Sequence, residues 1–159
     1  MATSGRYANS VRSAWHALRR TKIPFRLAGQ MRDALDALAT AIAARDSRAA
    51  PLAAIDVARA GRDVQLRYEP ASEVDRARFG LWTRQLQADA GDGDQASVIG
   101  DVATLEWVRD RIPLVSASTA VDEQLRSLEG SAESGELAAA ADAAVQLRET
   151  VAGVRSGGL

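Results

Sequence analysis

Eight residues between positions 68 and 109 have the side-chain types that could do chemistry. They are the carboxylates Asp75, Asp89, Asp101 and Glu106, the guanidinium groups Arg78 and Arg109, and the rings of Tyr68 and Trp82. At about 100° per residue, a helix whose apolar line runs Phe79, Trp82, Leu86, Ala90 carries Asp75 and Asp89 within roughly 20° of Trp82 and Arg78 at about 40°. On the next helix the centre of Val98, Val102, Leu105 and Ile112 lies near Arg109, with Asp101 and Glu106 at its edges. Charges on a buried face are costly unless paired, so these groups are expected to meet one another or a ligand. Two outcomes follow. In one, Arg78 and Arg109 bridge Asp75, Asp89, Asp101 or Glu106 as a structural ion-pair network. In the other, the cluster is a small polar pocket walled by Trp82 and Tyr68, able to hold a cation on its carboxylates or an anion on its arginines.

Other chemistries have little to work with. Cysteine is absent, which removes disulfides, thiolate nucleophiles and thiolate metal ligands. The only histidine, His16, adjoins Trp15 on a short amphipathic stretch and reads as a boundary residue, so the usual zinc, haem and di-iron ligand sets cannot be assembled from this chain. The turn Gly91-Asp92-Gly93-Asp94 has acids but lacks the further acidic positions and closing glutamate of a helix-loop-helix calcium site. Ser116, Ser118, Ser131 and Ser134 fall in turns and helix starts, where capping accounts for them. No nucleophile elbow, phosphate loop or dinucleotide glycine pattern occurs. No catalytic residue, metal site or cofactor is therefore assigned.

The elements that must position the cluster are all helical. Apolar residues make up 47 % of the 159, yet aromatics only 4 %, and the supply is alanine, leucine and valine. Such chains form closely packed helices. Residues 1–9 lack periodicity and are expected to be disordered. A first helix runs from Ser10 to about Arg20. Pro24 opens a second, lined by Leu27, Met31, Leu35, Leu38 and Ile42 to about Arg45. Pro51 fits the first turn of a third, whose stripe Ala54, Val57, Gly61, Val64, Tyr68 alternates steps of three and four and stops before Pro70. Its charges Asp56, Arg59, Asp63 and Arg67 are expected as ion pairs along one solvated edge. Ser72 begins the fourth helix. Asp94 caps a fifth that runs through Ile112 to Pro113, the sixth breaks at Gly130-Ser131, and the last spans about Gly135 to Val154. Residues 155–159 are expected to fray.

The reading is thus an all-α bundle of six to seven helices built from three consecutive antiparallel αα-hairpins, forming a single domain over residues 10–154. A faint echo, in which Asp56, Asp101 and Asp142 recur at steps of 45 and 41 in similar alanine-rich settings, is better explained by composition than by a true repeat, because no aromatic or proline signature recurs with it. Net charge is −1 with acids and bases interspersed, so no field favours nucleic acid. The basic run Arg19-Arg20-Thr21-Lys22 reads as a cation-loaded helix end. No stretch reaches the length of a membrane span. Nineteen of the twenty bases are arginine, a bias of genomic composition seen in bacteria. The polar start leaves both a cytoplasmic protein and the mature part of an exported bacterial protein open. Seven amphipathic helices without a reactive constellation point to a non-enzymatic domain that binds a protein partner or self-associates. The alternative is a small-ligand or metal-ion binding domain using the polar cluster.

Overall fold

The computed structural model describes residues 9–16, 23–114 and 117–154. Expectations for residues 1–8, for the basic run at 19–22, for Ser116 and for 155–159 lie outside those residues. Every regular element among the described residues is a helix: α1 (9–16), α2 (Phe25–Ala44), α3 (Ala49–Gln65), α4 (Ala71–Gly91), α5 (Gln95–Arg109), α6 (Ser118–Glu133) and α7 (Leu137–Gly153). The pairs α2–α3, α4–α5 and α6–α7 are the three hairpins. Where length alone leads to one domain, the chain divides into two compact units, Met1–Tyr68 and Glu69–Leu159.

In the first unit, α2 and α3 pack on each other through Met31, Leu35, Val57, Ala60 and Val64, joined by Trp15 of α1. The α2–α3 turn is made by Arg45, whose backbone takes the left-handed conformation at φ 56°, and by Asp46, whose Oδ1 accepts from the Arg48 and Ala49 amides at 2.9 Å. These donated N–H groups, Ala49 first, hold the Asp46 carboxyl below its ordinary value, as at any helix start that exposes unpaired amides. Pro51 stands in the first turn of α3, while Pro24 and Pro70 each sit just before a helix, at the N-cap of α2 and of α4.

In the second unit α4 packs on α5, α5 on α6, α6 on α7 and α7 back on α4, which closes a four-helix bundle. Phe79, Leu86, Val98, Leu105, Leu128 and Leu147 fill its centre. Asp94 caps α5 by accepting from the Ser97 amide at 3.0 Å, and Gly93, at φ 77°, makes the turn that a side chain would strain. Two side chains close the ends of neighbouring helices. Arg76 donates to the Val151 and Val154 carbonyls at 3.1 and 2.9 Å at the end of α7, and Gln95 donates to the Ala132 and Glu133 carbonyls at the end of α6.

Three helix ends differ from the sequence reading, and α3 is the first, stopping at Gln65 and leaving Tyr68 in the turn that follows. The α5 helix stops at Arg109, three residues before Ile112, in a tight turn where the Arg111 amide bonds Val108 and that of Ile112 bonds Arg109. The α6 helix runs through Gly130-Ser131 to Glu133, because Ala132 is buried in the bundle core and the glycine that turns the chain is Gly135, at φ 76°. A lone glycine costs a helix about 1 kcal/mol, which burial of the following turn offsets.

Candidate functional site

The structure does not assemble the eight candidate residues into one site. Asp75, on the first turn and a half of α4, is 2 % exposed, and both of its oxygens are engaged by guanidinium groups. Arg78 donates to Oδ1 at 3.1 Å and Arg111 to Oδ2 at 2.8 Å. Arg111 also lies over the exposed Trp107 ring, 4.7 Å from its centroid. The hairpin is therefore bridged as an ion-pair network would bridge it, but by Arg111 in place of Arg109. The early end of α5 is the reason, since the tight turn after Arg109 takes residue 111 out of helical phase.

Arg109 instead reaches α6, where it grips Asp122 through both oxygens, with Nη2 donating at 3.0 Å. Sequence reasoning set α5 against α4 only and left out its second neighbour. Asp89 accepts from Gln85 one turn earlier on α4, at 2.9 Å. Asp101 is buried and has an interaction partner, and Trp82 packs against the bundle core. Tyr68 belongs to the first unit and is 66 % exposed. Among the described residues no group of three or more His, Cys, Asp or Glu side chains is placed to hold a metal ion, and His16 is exposed.

Glu106 faces a different neighbour. With Ile99, Val102, Ala103, Glu129 and Glu133 it lines a shallow indentation of about 70 Å³ where α5 meets α6. Burial first, then the charges of Glu129 and Asp110, push its carboxyl above the ordinary glutamate value. No cation meets this acidic edge among the residues that shift it.

The larger opening lies in the first unit. A groove of about 410 Å³ runs along α3 beside α2, lined by Met31, Ala58, Gly61, Arg62, Val64 and Tyr68. Its α3 residues Ala58, Gly61, Val64 and Gln65 fall at steps of three and four, sharing Val64 with the seam on α2, and Tyr68 follows past the end of the helix. Small side chains make the depression: a Cβ added at Gly61 would meet only the Met31 methyl, at 3.9 Å. Arg62 stands at its rim, donating to Gln65 at 2.6 Å. The stripe Gly61, Val64, Tyr68 read as core in the sequence, which holds for Val64 but not for the exposed Tyr68.

Charge also separates by unit. Residues 1–68 hold twelve basic and five acidic residues, net +7, whereas residues 69–159 hold eight basic and sixteen acidic, net −8. The near-zero total conceals this, and a running sum of charge along the chain would have revealed it. Compared with family models, curated proteins and solved structures, the chain matches none of them.

Proposed function

We propose that this chain is a non-enzymatic helical module that binds protein through the open groove of its first unit. The observation that carries the reading is the groove itself, an apolar depression of about 410 Å³ with Tyr68 at its mouth. A helix pressed onto it would place its apolar side chains over the small residues Ala58 and Gly61, in the helix-in-groove mode of recognition. The first unit supplies few residues to cover that surface, and Phe25 at the start of α2 stands 85 % exposed. Two helices and a short third leave part of an apolar face open, which is what a docking surface requires.

The test places a photo-crosslinking residue at Tyr68 in the full chain and irradiates intact cells. A discrete covalent adduct is expected, and Gly61→Glu, which fills the groove without meeting backbone, should abolish it. Absence of any adduct, or one indifferent to Gly61→Glu in a variant of unchanged stability, rejects the reading.

A further inference from the structure

We infer that the occupant of the groove is a second copy of this chain, docked head to tail by the α5–α6 face of its acidic unit. The inference rests on the groove acting as a docking surface, and adds what fills it.

Charge selects the occupant. The unit that carries the groove is net +7 and the other is net −8, so two copies approaching with unlike units together attract, while like units repel. A two-fold pairing of groove with groove would bring two +7 units face to face. Head-to-tail contact avoids this.

Surface chemistry selects the face. On the acidic unit, Ile99 is 43 % exposed on α5, beside Ala103 and within the ring of Glu106, Glu129 and Glu133. The face holds only a small indentation of about 70 Å³ and presents one exposed branched apolar side chain among carboxylates. The groove offers the converse, an apolar trough rimmed by Arg62. Ile99 is placed beside Gly61, and the glutamates of the donor face Arg62 of the acceptor. The crowding that raises the Glu106 carboxyl is then relieved by a cationic neighbour.

Geometry sets the consequence. A heterologous contact leaves one free groove and one free acidic face at the ends of every open assembly, so it closes into a ring or continues as a chain. The contact is small, well under a standard protein interface, so association belongs in the micromolar range or weaker and depends on salt.

The experiment is analytical ultracentrifugation of the full chain across concentration, in about 20 mM and about 500 mM salt. Mass should rise with concentration at low salt, and the apparent affinity should fall about tenfold or more at high salt. Gly61→Glu and Ile99→Asp should each be monomeric, at unchanged thermal stability. Mixing these two variants should restore a 1:1 dimer and nothing larger, since one keeps the acidic face and the other keeps the groove. Monomer throughout at low salt, or association that neither variant weakens, overturns the inference. So does a duplex DNA bound by the first unit and indifferent to Gly61→Glu. An adduct at Tyr68 with a protein other than this chain overturns it too, while leaving the groove a docking surface.

Discussion

The two units bury their apolar residues to different depths. In the four-helix unit, nine of the sixteen core residues are 0 % exposed, and in the smaller unit the six core residues lie between 4 and 8 %. Four helices in a closed ring shield each seam on both sides, whereas a hairpin with one short helix has a seam and two flanks. The lesson is that alanine-rich helices of similar composition make a finished core or an open face according to how many neighbours surround them, and the open face is where recognition is to be sought.

The largest expected effect tests that contrast directly. Leu147→Ala removes a fully enclosed side chain from the α7 seam and should cost the four-helix unit about 3 to 5 kcal/mol. Val64→Ala removes two methyl groups from the shallower seam and should cost about 1 to 1.5 kcal/mol. Because Trp15 reports on one unit and Trp107 on the other, urea titrations of variants keeping one tryptophan each can follow the units separately. Leu147→Ala should move only the Trp107 transition. If both probes shift together for both substitutions, the units fold as one and the comparison fails.

Next comes the ion-pair bridge of the α4–α5 hairpin. Asp75→Ala strands Arg78 and Arg111, whose side chains are partly exposed and can recover water, so the loss should be about 1 to 3 kcal/mol. Breaking the Arg109–Asp122 pair, with Asp122 nearly half exposed, should cost about 0.5 to 1 kcal/mol. A double-mutant cycle on Asp75 and Arg111 sharpens the assignment, with a coupling energy of about 1 kcal/mol expected. A cycle on Asp75 and Arg109 should give none. Coupling in the second cycle and none in the first would restore Arg109 to the place that helical phase alone assigned it.

How far the sequence was legible follows from the physics of each signal. Period and punctuation were legible: the apolar lines, Pro24, Pro51 and Pro70 near their helix starts, and Asp94 as a cap are local properties, and all-α hairpins follow from them. Helix ends were less so. Gly130 looks like a break, but the burial of Ala132 two residues later keeps the helix going, and only tertiary contact decides that. The polar cluster failed on neighbour identity. Asp75 was placed on a buried face from phase alone, yet its partner Arg111 lies past the end of α5, and Arg109 and Glu106 turn toward α6, an element that helical phase does not locate. Arg76 escaped notice because capping another helix's carbonyls leaves no spacing signature. The charge split needed only addition, but it acquires meaning once the boundary near Tyr68 is known.

The smallest effect concerns the acidic unit's own repulsion, and it has a definite sign. Glu106 is crowded by burial, Glu129 and Asp110, so its carboxyl binds its proton more tightly in the folded chain than in the unfolded one. Between the two values the folded state holds the extra proton, so this group's contribution to stability falls as pH rises from the ordinary glutamate range through the raised folded value. Above that window the ionised carboxylate is a standing cost. Glu106→Gln removes the charge and keeps the shape, so it should stabilise the chain slightly at pH 7, with the gain fading as pH drops through the raised folded value into the ordinary glutamate range. Urea midpoints of both proteins at pH 7 and pH 4 read the difference. A variant less stable at pH 7, or a gain undiminished at low pH, would count against crowding by burial, Glu129 and Asp110 as the source of the effect.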